Sequence, residues 1–122
     1  MKNLEQIRAK TALAADTQVM RGKNDGDVVK KIPALILNHG LLAVNAYALG
    51  EKNEGYQHLF AALARHLADP GIKLLPDAKP DNMARHLLDY LSKEADSSAL
   101  RQVTAEAMAW LNYARRFIKN KE

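Results

Sequence analysis

The fold is decided by the stretch ALRQVTAEAMAWLNYARRFIKN, residues 99–120, which reads as one long amphipathic helix. Its apolar side chains recur every three or four residues, the interval that places them along one helix face. Asp96-Ser97-Ser98, just before it, is typical of a turn followed by a helix cap. The stretch therefore predicts a long final helix, ending near Asn120, with one buried face. That face consists of Leu100, Val103, Ala107, Trp110, Leu111, Ala114, Phe117 and Ile118.

The same spacing predicts further helices upstream, separated by turns rich in Gly, Pro and Asp. The first should run from about Asn3 to Arg21, and Asp27 should cap the second. Pro33 either kinks that second helix or opens a new one after Lys31, and Gly40 should end it. The predicted apolar face of the first helix consists of Leu4, Ile7, Thr11, Ala14, Ala15 and Val19.

Downstream, a short helix should resume through residues 41–49, and a polar turn should follow at 50–55. Another helix is predicted from Tyr56 to Ala68, and the longest loop from Asp69 to Pro80. Asp81 is expected to cap the next helix, which carries Met83, Leu87, Leu88 and Leu91. The sequence thus predicts an all-α fold: one compact helical domain over residues 1–122, with five to seven helices and no sheet.

Composition limits the class of protein. The 122 residues suffice for one domain, and 48% apolar with 26% charged residues is typical of a globular chain. The absence of cysteine excludes disulfides and thiolate metal sites, and it fits a reducing cytoplasm. The start at Met1 does not read as a signal peptide, and the apolar stretches are too short to span a membrane. A net charge of +4 permits an anionic partner without requiring one.

Signatures of catalysis are missing from the sequence. It contains neither a Gly-rich phosphate loop nor a zinc-protease or serine-hydrolase motif, so we expect no enzyme activity, metal or cofactor. His86 and Asp89 could orient a base in a small hydrolase, but a surface helix pair is the favoured interpretation. All four histidines are interpreted as solvent-edge or capping residues. They are His39, His58, His66 and His86.

The final helix also carries a basic strip. At 100° per residue, its four cations fall within about a third of the circumference, beside Asn112, while Glu106 projects to the opposite flank. Arginine suits phosphate oxygens, so the strip is a candidate for binding a nucleic-acid backbone without reading its sequence. The alternative is an ordinary solvated face, since the helix dipole favours cations near a C-terminus. The strip consists of Arg101, Arg115, Arg116 and Lys119, and Lys30 and Lys31 form a second basic pair.

The aromatic residues of the final helix have two interpretations. Trp110 and Phe117 lie seven residues apart, which is core spacing, and we expect both to be packed. Tyr113 projects away from the apolar stripe. It is the candidate for a contact with another subunit or with RNA.

Two stretches resemble one known family. The stretch VVKKIPALILNHGL, residues 28–41, resembles the Lys-x-Pro-x-Leu-Ile-x-x-x-Gly-Leu core of the small subunit of type III-B CRISPR effector (Cmr) complexes. Thr104-Ala105-Glu106-Ala107-Met108, followed by Leu111 and by Arg115-Arg116-Phe117, resembles that family's closing Thr-x-Glu-Ala-Leu and Trp-Leu-Lys-Arg-Phe helix. The resemblance covers roughly residues 27–49 and 100–119. One departure is that Tyr113 stands where the family usually has Trp, while Trp110 lies one turn earlier.

The resemblance implies a non-catalytic, all-helical subunit. Its partners would be the other Cmr subunits, further copies of itself in a filament, guide RNA and target RNA, and cleavage would belong to other subunits. Base pairing supplies sequence specificity in such systems, so the protein need only hold the backbone. The alternative from the residues alone is a protein-only helical adaptor whose basic face binds an acidic protein.

Overall fold

The computed structural model describes residues 3–14, 27–50, 54–76 and 82–120, with side chains except those of 27–30, 54–55 and 118–120. These ranges contain six α-helices and no strand, which confirms the all-α prediction. The helices are α1 (Leu4–Ala14), α2 (Asp27–His39), α3 (Leu41–Gly50), α4 (Glu54–Leu67), α5 (Met83–Lys93) and α6 (Ser97–Asn120).

The long helix α6 is the central element. Its first turn is capped by Asp96, whose Oδ1 accepts a hydrogen bond from the backbone N–H of Ala99 at 2.8 Å, as predicted. Helices α1, α2 and α4 pack against it. Its predicted apolar face is buried at Val103, Ala107, Trp110, Leu111 and Ala114.

Helix α2 runs continuously through Pro33, so no new helix begins after Lys31. It buries Ile32 and Ile36, and the N–H of Gly40 closes its last turn on the carbonyl of Ile36 at 2.8 Å. Gly40 has φ 88°, a left-handed conformation that side chains with a Cβ disfavour. This confirms the predicted stop, and α3 starts at the next residue.

Helices α4 and α5 pack on each other and complete the core. Helix α4 begins at Glu54, two residues before the predicted Tyr56, and ends at Leu67. The prediction that Asp81 caps α5 is wrong, because the side chain of Asn82 accepts from the backbone N–H of Arg85 at 3.1 Å. The two neighbours carry chemically equivalent cap acceptors, so sequence alone could not separate them.

Helix α1 departs most from its predicted pattern. Leu4 is 49% exposed and Ala14 is exposed, whereas Ile7 and Ala12 are buried. The face turned towards the protein carries Arg8 and Thr11, whose polar groups bond to buried partners on α4 and α6. A polar contact of this kind is invisible to an apolar-stripe rule. The predicted continuation of this helix to Arg21 lies outside the described residues.

Candidate nucleic-acid interface

The basic strip on α6 reaches solvent at each described member. Arg101, Arg115 and Arg116 are exposed, and within the described ranges none of them has a carboxylate or other hydrogen-bond partner. Arg101 and Arg115 are fourteen residues apart on one helix, or ~21 Å at the α-helical rise. Asn112 is exposed between them. These guanidinium groups therefore remain available to an external anion.

The only carboxylate of α6, Glu106, is turned into the protein. Its Oε1 accepts from Nη2 of Arg8 at 2.7 Å, and its Oε2 accepts from Nε of Arg8 at 2.8 Å. This two-bond geometry is the strongest form of the arginine–carboxylate pair. The side chains are 20% (Arg8) and 8% (Glu106) exposed. The negative charge of α6 is thus neutralised beneath the surface, and the outer face is left with cations.

His66 of α4 joins the same pair. Its Nε2 lies 2.8 Å from Oε2 of Glu106, and its side chain is fully buried. Burial lowers the pKa of His66, although the bond to Glu106 opposes this shift in part. Burial alone would raise the pKa of Glu106, but the hydrogen bonds from Arg8 and His66 outweigh it and lower the pKa overall. Its bond to Glu106 raises the pKa of Arg8. The set is therefore a neutral histidine beside an ionised Arg–Glu pair.

These charges fix the direction of the hydrogen bonds. A carboxylate cannot donate, so the proton of neutral His66 is on Nε2, and Nδ1 must accept. Thr11 Oγ1 lies 2.7 Å from that Nδ1, closer than the carbonyls of Ile7 at 3.0 Å and Arg8 at 3.2 Å, which compete for the same hydroxyl proton. Since Nδ1 carries no proton, we assign the hydroxyl proton to this shortest contact, and Oγ1 accepts in turn from Nε1 of Trp110 at 3.0 Å. The donation runs from Trp110 through Thr11 and His66 to Glu106, with Arg8 donating from the other side. We call these five residues the buried polar chain.

The buried polar chain corrects two sequence predictions and confirms a third. The interpretation of His66 as a solvent-edge or capping residue is wrong, because the side chain is buried and bonded on both nitrogens. The apolar face predicted for the first helix includes Thr11, yet its hydroxyl hydrogen-bonds to the rings of both His66 and Trp110. The expected packing of Trp110 is confirmed by its complete burial and by its stacking 5.8 Å from the His66 ring.

The sequence did contain a sign of the buried polar chain at Glu106. Glu106 and Trp110 are four residues apart and therefore neighbours on one helix face, so a carboxylate bordered the predicted buried stripe. Such a carboxylate needs a partner, since an unpaired buried charge is costly. The partners lie 40 and 98 residues away, and no short-range pattern identifies them.

The structure describes only some of the other predicted site residues. The side chains of Lys119 and Lys30 lie outside the described part. Lys31 is exposed on α2, a helix that packs against α6, so it and the strip occupy neighbouring helices. Tyr113 is half-buried against the core, with its ring 6.4 Å from that of Phe117. It does not project fully away from the stripe, and its interface role stays a prediction.

The suggested His86–Asp89 pair is not formed. His86 Nε2 lies 2.7 Å from the carbonyl of Pro76, and Asp89 pairs with Arg85 at 3.2 Å and with Lys93 at 3.8 Å. The geometry therefore gives the hydrolase interpretation no support. Among the described residues, no group of three His, Asp or Glu side chains is arranged to hold a metal ion.

The family of CRISPR-associated proteins described as Cas_Cmr5 matches this chain over residues 4–120. The matched range includes all six helices, the basic strip and the buried polar chain. Searches of curated proteins and of solved structures give no significant match. None of the helices in the described ranges has both the length and the apolar character to cross a bilayer.

Proposed function

This chain belongs to the Cas_Cmr5 family, the small helical subunits of type III-B Cmr complexes, and from that membership we propose that α6 holds RNA. Members of the family are generally non-catalytic and associate with the other Cmr subunits. In our proposal, copies of this chain stack beside the backbone subunits. Arg101, Arg115 and Arg116, with Lys119 and the pair Lys30 and Lys31, then contact the phosphates of target RNA or of the guide–target duplex.

The single observation that carries the proposal is the inward orientation of Glu106. Since Arg8 neutralises this carboxylate and His66 hydrogen-bonds to it inside the protein, the solvent face of α6 has cations and no carboxylate. A guanidinium that is not engaged within its own protein can form two hydrogen bonds to a phosphate. Such contacts position a backbone without reading its sequence, which suits a complex in which base pairing supplies specificity.

One subunit with a few phosphate contacts would bind RNA weakly, and several stacked copies would bind it strongly. Each neutralised phosphate of a single strand contributes ~0.7 to the slope of log affinity against log salt. A single copy with two or three contacts would therefore release RNA readily. Copies fixed side by side in a filament bind the next stretch of the same strand at high effective concentration. The proposal thus predicts strong binding by the assembly and weak binding by one subunit.

The experiment is charge reversal in a reconstituted complex. Arg115→Glu with Arg116→Glu is compared with Lys73→Glu and Lys93→Glu, which change the same number of charges at exposed positions away from the strip. Under conditions that block cleavage, the strip variant should bind target RNA more weakly than the control and with a shallower salt slope. Equal affinity and slope in both variants would reject the proposal. Loss of assembly in the strip variant alone would instead favour the protein-only adaptor with an acidic partner.

A further inference from the structure

A second basic surface is the groove between α4 and α5. Its volume is about 410 Å³, and its cationic or polar lining includes His58 and Arg65 of α4, Asn82 before α5, and Arg85 of α5. We call His58, Arg65 and Arg85 the basic groove. None of the strip's described side chains, Arg101, Arg115 and Arg116, lines it.

The α4 side of the groove is formed by one helix face. His58, Ala61 and Arg65 are spaced by three and four residues, so they project together, and the small Ala61 leaves room between two long polar side chains. His58 and Arg65 are seven residues apart, or ~10.5 Å along the helix. Both are exposed, and within the described residues neither has a hydrogen bond or ion pair. The face therefore presents two separated donors to an external acceptor.

Arg85 supplies the opposite wall. Its Nε bonds Oδ1 of Asp89 at 3.2 Å, which leaves both terminal nitrogens for another acceptor. Asp89 also lies 3.8 Å from Nζ of Lys93, so two cations share this one exposed carboxylate. Asn82 uses its side-chain oxygen to cap α5, and its amide nitrogen remains a donor. Among the described lining residues there is no carboxylate, and the groove is rich in donors.

We propose that the basic groove binds the phosphate backbone of a single RNA strand, separately from the strip on α6. The inference rests on the proposed function in one respect: the polyanion in the assembled complex is RNA. The groove volume of about 410 Å³ is far smaller than a section of RNA duplex, so the groove can enclose only part of a single strand. Guanidinium groups on both walls match phosphate oxygens. The apolar lining residues are buried or half-buried, so they expose little surface to the apolar side chains of a peptide; they are Leu49, Ala61, Met83 and Ala84. One subunit then contacts nucleic acid at two places.

The test is an NMR titration of the full chain, labelled with ¹⁵N, at low ionic strength. The probes are an oligouridylate, an RNA duplex of the same charge, and polyglutamate. We expect the Nε–Hε resonances of Arg65 and Arg85 to shift with oligouridylate, and less with the duplex. If these resonances are unmoved at the highest oligouridylate concentration, the proposal is wrong. If polyglutamate shifts them as strongly at equal charge, the groove is an acidic-peptide site and the proposal is likewise wrong.

Variants separate this proposal from the one for α6. The groove variant is His58→Gln with Arg65→Gln and Arg85→Gln. Its control, Lys10→Gln with Lys73→Gln, loses the same two full charges at exposed positions that do not line the groove. Relative to the control, loss of two contacts should lower the salt slope by ~1.4 and the affinity at low salt by about tenfold. Equal binding by groove variant and control overturns the groove. Arg101→Gln with Arg115→Gln and Arg116→Gln tests the strip independently, so either site can fail while the other stands. Melting curves verify that each variant is folded.

Discussion

The guanidinium of Arg8 and the carboxylate of Glu106 form a two-bond ion pair between the first and last helices, at 2.7 and 2.8 Å. The pair joins residues 98 positions apart and removes the sole negative charge of α6 from the solvent face of that helix. One carboxylate thereby links two properties of the protein. It attaches α1 to the core, and it keeps the outer face of α6 basic.

Glu106→Gln should destabilise the fold. The substitution keeps an acceptor for His66, but it leaves the largely buried guanidinium of Arg8 without its counter-charge. Breaking a fully buried pair from one side costs about 3–5 kcal/mol, since the remaining charge stays desolvated. Because the Arg8 side chain is 20% exposed, we expect a loss at or below the lower end of that range. Urea denaturation measures the loss, with the exposed Arg115→Gln as the control within about 0.5 kcal/mol of wild type. A wild-type midpoint in Glu106→Gln would show that the pair is not a stabilising contact.

Thr11→Val should also destabilise, although it preserves shape. Without the hydroxyl, Nε1 of Trp110 loses its acceptor and Nδ1 of His66 loses its donor. Unsatisfied buried groups cost about 1–3 kcal/mol. Thr104→Val is a matched control, because its hydroxyl bonds only the Leu100 carbonyl of its own helix at 2.7 Å. The proposed direction of the hydrogen bonds fails if both variants unfold at the same urea concentration.

Stability should decrease in mild acid because of His66. Burial lowers the pKa of His66 in the folded protein, whereas an imidazole in the unfolded chain titrates near its ordinary value of about 6.5. The unfolded state therefore binds the proton first, and the free energy of unfolding falls as pH drops below about 6.5. Above about pH 7.5, titration of His66 should no longer change the free energy of unfolding.

His66→Gln provides the check, because it cannot titrate. Its unfolding free energy, measured between pH 7.5 and 5.5, should show a smaller decrease than that of wild type, even if the variant is less stable throughout. The lowered pKa of Glu106 acts with the same sign at lower pH, as its ordinary value is 4.5. A decrease of the same size in His66→Gln and wild type would contradict a neutral, buried His66.

Substitution by alanine should lower the stability of the protein at Gly40 but not at Gly50. Both positions have open space for a Cβ, but Gly40 has φ 88° and Gly50 ends α3 without a positive φ. Gly40→Ala should cost about 1 kcal/mol through backbone strain, whereas Gly50→Ala should be neutral or slightly stabilising. Thermal unfolding of the two variants measures the difference. Equal effects would argue against the left-handed stop between α2 and α3.

The sequence predicted what local rules determine. Repeating apolar positions located α6, the Asp96 acceptor located its start, and the glycine at position 40 located the junction of α2 and α3. Local rules failed where a distant residue decides the outcome. Leu4 is exposed and His66 is buried because α1 presents Arg8 and Thr11 to partners on other helices. Those partners become neighbours only in the tertiary fold.

Local rules likewise predicted one part of the candidate site and missed the rest. The exposure of Arg101, Arg115 and Arg116 follows from helical periodicity, which was sufficient to place them away from the buried face. The neutralisation of Glu106 required the structure, as did the basic groove, since His58 and Arg85 belong to different helices. Periodicity describes one helix at a time and carries no information about which helices meet.

Site-directed photo-crosslinking from position 112 tests the central claim most directly. Asn112 is exposed on the basic strip and carries no charge, so a photoreactive residue there leaves every cation in place. In the complex assembled with guide and target RNA, we predict crosslinks from position 112 to RNA and markedly fewer from the exposed position 93 on α5. Crosslinks from position 112 to protein alone would contradict the claim that α6 faces RNA.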